Sequence, residues 1–186
     1  IKTLNGSTIG VVAASAVGRE VIRLLQAFDA EILVYDPYLS EWEAGRLNVE
    51  KTALENLFRR SDFVTIHAPV TKETVHMIKE RHLKMLRDGA VLVNTSRGVI
   101  IDQDALLREC ETGRIIVTLD VTDPEPLPPD SRFRDLKNVI ITPHISGAGH
   151  YGYYKIGEII LQALEDFFAD KRVEAEINFE KYNILA

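Results

Sequence analysis

Short, continuous apolar runs alternate along this chain with segments in which apolar residues recur at helical spacing. The runs at 8–13, 31–35, 63–66, 90–94, 115–121 and 139–142 are typical of strands buried on both faces. The first helical segment follows the first run and carries Val17, Val21, Leu24, Leu25 and Phe28. Further helices are predicted at 79–86, from Asp102 to about Gly113, and from about Tyr151 onward.

Local signals place some of the helix ends. Thr52 and Glu55 have the spacing of a capping box, ahead of apolar residues at 54, 57 and 58. Gly89 is a stop signal for the 79–86 helix. On the last helix, one face carries Ile156, Ile160, Leu164 and Phe167. The segment 123–131 is too rich in proline for regular structure.

This alternation predicts an α/β fold with a doubly wound parallel sheet of about six or seven strands. Helices on both faces would give three layers, αβα. No linker divides the chain, so we expect one domain over residues 1–172, followed by a tail at 173–186 without clear periodicity.

Composition narrows the functional classes. The net charge of −6 offers no electrostatic basis for binding nucleic acid or an anionic membrane. No apolar run approaches the roughly 20 residues of a membrane helix, and we see no signal peptide. The single cysteine, Cys110, excludes an internal disulfide and fits a reducing cytoplasm, which is the localisation we expect. Its helical neighbours indicate a core position.

The turn after the first strand is a candidate dinucleotide site. A fingerprint of this type would place glycines at positions 13, 15 and 18, where this chain has Ala13, Ser15 and Gly18. Small residues still permit close approach of a pyrophosphate, and the following helix N-terminus offers free N–H groups. An ordinary strand–turn–helix is the alternative interpretation.

Asp36 ends the second strand, near the offset at which a carboxylate binds the adenosine ribose. Such a carboxylate repels a 2′-phosphate, so the predicted cofactor is NAD rather than NADP. The alternative is a turn aspartate, because Asp36 precedes Pro37.

Three further segments each follow a predicted strand and therefore meet at one edge of the sheet: "NTSRG" at 94–98, "LDVTDPEP" at 119–126 and "TPHISG" at 142–147. They bring a guanidinium (Arg97), a carboxylate (Glu125) and an imidazole (His144) to one cleft. A guanidinium can bind the carboxylate of a 2-oxo acid through two hydrogen bonds, and an imidazole backed by a carboxylate can protonate the carbonyl oxygen. Singly, each residue could instead be a surface charge or an ordinary loop residue.

These segments, together with "YDPY" at 35–38 and "HAPVTKETVHMI" at 67–78, resemble the D-isomer-specific 2-hydroxyacid dehydrogenases, which include phosphoglycerate, glycerate and D-lactate dehydrogenases. The resemblance runs from about Leu4 to Lys171. It implies a Rossmann-type domain, NAD as cofactor, a 2-oxo or 2-hydroxy acid substrate, a homodimer, and Arg97, Glu125 and His144 as the catalytic residues. It also implies a cofactor site comprising Ser15, Ala16, Val17, Gly18, Asp36, His67, Ala68, Pro69, Thr74, Thr95, Asp120 and Gly147. Asp120 would contact the nicotinamide carboxamide, and Thr74 the pyrophosphate side.

Two departures from the family pattern stand out. The fingerprint glycines at 13 and 15 are replaced, and position 16, where a cation is common, is Ala16. The family also has a substrate domain that these 186 residues do not contain, and to which the tail at 173–186 would return.

The motifs leave two other functional classes open. An NAD-sensing, partner-binding protein similar to the C-terminal-binding corepressors would carry the same Arg, Glu and His. A degenerate domain that binds no cofactor is the other alternative. No pair of histidines has metal-ligand spacing, so we predict no metal site. The sequence identifies neither the acid nor the physiological direction.

Overall fold

Strands and helices alternate through most of the chain in the computed structural model, which describes residues 3–147, 149–174, 176, 177 and 179. The strands are β1 (Thr8–Val12), β2 (Glu31–Tyr35), β3 (Glu50–Lys51), β4 (Phe63–Ile66), β5 (Val91–Asn94), β6 (Ile116–Leu119) and β7 (Val139–Ile141). The α-helices are α1 (Ala16–Leu25), α2 (Glu41–Arg46), α3 (Leu54–Arg60), α4 (Glu80–Leu83), α5 (Gln103–Glu111) and α6 (His150–Phe168).

All neighbouring strands in the sheet pair in parallel, in the order β3-β2-β1-β4-β5-β6-β7. The order reverses between β1 and β4, so the connections from these two strands run to opposite faces of the sheet. In open α/β sheets, ligands bind in the crevice outside the carboxyl ends of the strands at such a reversal. The predicted doubly wound parallel sheet is confirmed.

One face of the sheet is fully covered. Gly10 lies against α3, because a Cβ at this position would come within 2.4 Å of Leu57. The strand residues on this face and the helix residues above them form a continuous buried cluster that includes Phe58, Val64, Leu92 and Leu106. Cys110 is buried there, as predicted, and burial raises the pKa of its thiol to about 12.

The opposite face is covered over only part of the sheet. Val11, Ile22, Ile32 and Val34 form a smaller cluster where α1 and α2 pack on β1 and β2. The strand register carries this face on through the row Phe63, Val91 and Ile116, and through Thr118 to Ile140. Ile116 is 37% exposed and Ile140 is 55% exposed. The three-layer arrangement is therefore complete only over β1–β3 among the described residues.

Some local predictions were wrong. Ala53, not Thr52, is the N-cap of α3, and it makes no capping bond because alanine has no side-chain acceptor. The Thr52 N–H donates to Val34 O and continues the sheet ladder. The buried face of α1 carries Gly18 and Ile22, whereas Val17 and Leu24 are exposed.

The apolar residues predicted on one face of the last helix, at positions 156, 160, 164 and 167, are also exposed. Among the described residues, no helix has the length and apolar character of a membrane span.

Candidate active site

The β1–α1 turn is closely packed around Gly18. A Cβ on Gly18 would lie 2.1 Å from the carbonyl oxygen of Ala13, so only glycine fits. Ala13 itself has φ of 74°, in the left-handed region that glycine adopts more readily. Ser15 is the N-cap of α1, and its hydroxyl accepts a hydrogen bond from the Gly18 N–H at 3.2 Å. Ala16 and Val17, in the first turn of this helix, are exposed.

Asp36 binds the backbone on both sides of its carboxylate. Oδ2 accepts from the Ala14 N–H and Oδ1 from the Tyr38 N–H, each at 2.8 Å. Asp36 is therefore also the turn aspartate that the following Pro37 indicated, because its side chain binds the backbone two residues on. Because each carboxylate oxygen can accept two hydrogen bonds, one acceptor site per oxygen remains for a ligand hydroxyl.

A cleft of about 460 Å³ opens between this turn and the loop after β4. Five predicted cofactor residues line it, namely Ser15, Asp36, Ala68, Pro69 and Thr74. A second cleft of about 380 Å³ shares Ser15 and Pro69 with the first and is also lined by Val17, His67, Thr95 and Arg97. Together they form a path along the carboxyl ends of β1, β4 and β5.

Two polar residues shape the β4 side of this path. Thr74 donates its hydroxyl to Pro69 O at 2.6 Å and accepts from the Thr71 N–H at 2.7 Å, which closes the 69–74 loop. His67 is buried, and its Nε2 lies 2.9 Å from the Thr65 hydroxyl. Burial lowers the pKa of His67 to about 4, so its imidazole is neutral at pH 7.

Arg97 is held by the end of β5. The buried Asn94 side chain accepts from the Ser96 N–H and donates to Arg97 O, at 3.0 and 2.9 Å. Gly98 then packs on the loop after β6, where a Cβ would lie 2.1 Å from the carbonyl carbon of Thr122. This close approach puts the Arg97 loop beside the loop that carries Glu125. The Arg97 side chain is exposed.

Glu125 and His144 are in direct contact. Oε1 of Glu125 lies 2.5 Å from Nδ1 of His144, and both side chains are more than a third exposed. His144 has φ of 52°, and its N–H donates to Asp120 O. The pairing of carboxylate and imidazole that the sequence predicted is present at the ends of β6 and β7.

Asp120 fixes the loop on which His144 stands. Its carboxylate accepts from the Thr142 hydroxyl at 2.5 Å and from the N–H groups of Ile145 and Ser146 at 2.9 Å. Burial alone would raise the pKa of Asp120, but these hydrogen bonds outweigh it and hold that pKa well below its usual range. The contact between Asp120 and nicotinamide stays a prediction. Gly147, at the end of this loop, is exposed.

The family is decided by comparison with known proteins. The sequence model described as "D-isomer specific 2-hydroxyacid dehydrogenase, NAD binding domain" matches residues 1–146. The chain belongs to this family.

Relatives and solved structures agree with this assignment. A glyoxylate reductase of Korarchaeum cryptofilum is 38% identical over 181 residues, which cover 97% of this chain and 54% of that protein. A hydroxypyruvate reductase of Thermotoga maritima is 34% identical over 172 residues, 91% of this chain and 54% of that protein. The apo D-mandelate dehydrogenase of Rhodotorula graminis superposes with a TM-score of 0.85 at 27% identity, over 95% of this chain and 52% of that one. This dehydrogenase domain thus spans about half the length of the curated relatives it matches. Each of these three proteins is named as a reductase or a dehydrogenase.

The NAD-binding assignment fits the geometry of this dehydrogenase domain. The cleft offers spare carboxylate acceptors at Asp36 for ribose hydroxyls and a helix N-terminus at Ser15 for a phosphate. Within the described residues, no group of three or more His, Cys, Asp or Glu side chains is placed to hold a metal ion.

Sequence reasoning missed several residues that shape the site. Asn94 and Gly98 lie within the "NTSRG" segment, so their position after a strand could have identified them. Tyr38, which lines the larger cleft, lies likewise within the "YDPY" segment after β2. Arg19, on α1, also lines that cleft but gave no such signal.

Proposed function

We propose that this chain is the nucleotide-binding half of an NAD-dependent oxidoreductase that interconverts a D-2-hydroxy acid and its 2-oxo acid. The observation that carries the proposal is the bond between Glu125 and His144, at the sheet edge where the Arg97 loop and the dinucleotide cleft also lie. A carboxylate-backed imidazole beside a guanidinium is what the reduction of a 2-oxo acid requires.

The dinucleotide would lie along the two connected clefts. The adenosine ribose would bind Asp36, the pyrophosphate would lie over the turn at 15–18 and near Thr74, and the nicotinamide end would reach the side lined by His67 and Thr95. Ala68 and Pro69 would form the wall between. Asp120, after β6, and Gly147, on the loop after β7 that Asp120 holds, would bound the nicotinamide end.

NAD, when bound, supplies or accepts the hydride, and the chain's own residues handle charge and protons. The Glu125 carboxylate at Nδ1 orients the imidazole of His144, which leaves Nε2 to donate a proton to the carbonyl oxygen in reduction. In oxidation, Nε2 takes that proton back. Arg97 would bind the substrate carboxylate through its planar pair of N–H donors.

The substrate class and the assembly also belong to this proposal. Relatives that are glyoxylate and hydroxypyruvate reductases support a small 2-oxo acid. We propose that residues 1–172 form the NAD-binding domain and that the tail at 173–186, most of which lies outside the described residues, returns to a substrate domain, because those relatives are about twice as long. The uncovered sheet face around Ile116 and Ile140 supports a homodimer or cover by that domain.

A cytoplasmic localisation is proposed on the single, buried cysteine.

A screen of 2-oxo acids with NADH tests the proposal, using the full-length protein that contains this domain. We expect glyoxylate or hydroxypyruvate to be reduced, and His144→Gln to lower kcat by at least about 100-fold, the usual contribution of a general acid. His76→Asn is the matched control, because His76 is exposed and Asn tolerates its positive φ. If no 2-oxo acid is reduced, or if His144→Gln keeps the parent rate, the proposal is wrong.

The 186 residues alone should turn over little substrate, because substrate positioning and exclusion of water need a second wall over the open edge. Comparable turnover by this chain and by the full-length protein would contradict this half of the proposal.

A further inference from the structure

An ion pair stands on the wall of the nucleotide cleft. Nη2 of Arg19 donates to Oε1 of Glu43 at 2.9 Å, and the two side chains are 42% and 34% exposed. Arg19 lines the same cleft as Asp36 and Tyr38. A positive charge is therefore present at the end of the cleft where the carboxylate of Asp36 lies.

Arg19 and Asp36 both form hydrogen bonds with the backbone of Ala14 in the nucleotide turn. Nε of Arg19 donates to Ala14 O at 3.0 Å, while the Ala14 N–H donates to Asp36 Oδ2. The guanidinium is thus fixed close to the carboxylate proposed to bind the ribose. An arginine near that carboxylate is the usual means by which a related site accommodates the 2′-phosphate of NADP.

Glu43 is itself firmly placed. It is the third residue of a capping box, in which its carboxylate accepts from the Ser40 N–H and the Ser40 hydroxyl accepts from the Glu43 N–H. The Ser40 N–H first, and then the Ser40 hydroxyl and Arg19, lower the pKa of Glu43 to about 2. Glu43 therefore stays ionised next to Arg19 at any ordinary pH.

We propose that Glu43 is a specificity-determining residue, which acts by pairing with Arg19 and withholding that guanidinium from a 2′-phosphate. The inference rests on the proposed function, in which this cleft binds the adenosine half of NAD. Asp36 repels the 2′-phosphate directly, and Glu43 removes the cation that could otherwise offset that repulsion. Glu43 is a positioning residue here, since it acts through Arg19.

Binding of 5′-AMP and adenosine 2′,5′-bisphosphate to this chain, measured by calorimetry, isolates the 2′-phosphate. Glu43→Gln removes the charge and keeps the capping box, which accepts Gln at this position. The affinity ratio of bisphosphate to 5′-AMP should rise about tenfold, the scale of one charge-assisted hydrogen bond. Glu41→Gln, an equal charge change at an exposed residue of the same helix, should leave the ratio unchanged.

The double variant Arg19→Gln/Glu43→Gln decides whether the effect passes through Arg19. We expect the tenfold rise to disappear, with 5′-AMP affinity as the internal reference for a folded cleft. An unchanged ratio in Glu43→Gln, or a rise that persists without Arg19, would overturn the inference while the proposed function stands. If the parent chain binds neither nucleotide, the proposed function fails and the inference fails with it.

Discussion

Glu125 Oε1 lies 2.5 Å from His144 Nδ1, and this contact joins two loops through residues that are 19 positions apart in the chain. It occupies the ring nitrogen on the Glu125 side and leaves Nε2 for a substrate. The contact therefore fixes both the partner of Nδ1 and the ring nitrogen that remains for a ligand.

Replacing Glu125 by Gln should lower kcat without changing the KM for NADH. The amide oxygen can still accept from Nδ1–H, so the ring keeps its orientation, but the positive charge on a protonated imidazole is no longer offset. We expect a loss of at least about tenfold in steady-state reduction by the full-length protein. Asp130→Asn, an exposed carboxylate in the same proline-rich segment, is the control. An unchanged kcat for Glu125→Gln would mean that the contact has no catalytic role.

Asp120→Asn should damage both stability and activity. The carboxylate accepts from two backbone N–H groups and one hydroxyl, and an amide cannot accept all three. We expect the free energy of unfolding at pH 7 to fall by about 1–3 kcal/mol, as for a buried group left unsatisfied. Urea denaturation measures it, and the kcat of the full-length variant reports the displacement of His144. Parent-like stability would show that these bonds do not hold the loop.

The strands and the catalytic motifs were predictable because their signals are local. Apolar runs gave six of the strands, and each motif follows a strand, so parallel topology alone brings Arg97, Glu125 and His144 to one edge. The strand β3 was not predictable, because Glu50 and Lys51 have no apolar pattern and are ordered by pairing with β2. The same holds for the Arg19–Glu43 pair, which depends on packing between α1 and α2.

The apolar spacing of α1 did not identify its buried face. Both faces of this helix carry apolar residues, and hydrophobicity cannot tell which face meets the sheet. The packing requirement at Gly18 decides it, since the close contact with Ala13 O turns Gly18 and Ile22 inward.

The two replaced fingerprint glycines should behave differently when restored. Ala13→Gly relieves a positive φ, so we expect the free energy of unfolding to rise by up to about 1 kcal/mol and NADH to bind at least as tightly. Ser15→Gly removes the capping hydroxyl and should lower stability by a few tenths of a kcal/mol. Thermal denaturation and NADH titration of both variants check this. A destabilised Ala13→Gly protein would show that the turn is not strained.

Acid should destabilise this domain partly through His67. Its pKa falls from 6.5 to about 4 on folding, so the unfolded state binds more protons between these values and stability is lost as pH falls through this window. We expect His67 to account for a loss of about 2 kcal/mol from pH 7 to pH 5. His82, whose pKa burial also lowers, adds to the change in the same direction. Urea denaturation of parent and His67→Gln at both pH values measures the difference. Equal pH dependence in the two proteins would remove His67 from this account.

Calorimetric titration of this chain with NADH and NADPH tests the central claim most directly. We predict that NADH binds and that NADPH binds at least about tenfold more weakly, because Asp36 faces the 2′-phosphate with like charge. Asp36→Asn, which keeps a hydrogen-bond acceptor and removes the charge, should narrow that gap. Absence of NADH binding, or equal affinity for the two cofactors in the parent chain, would contradict the account.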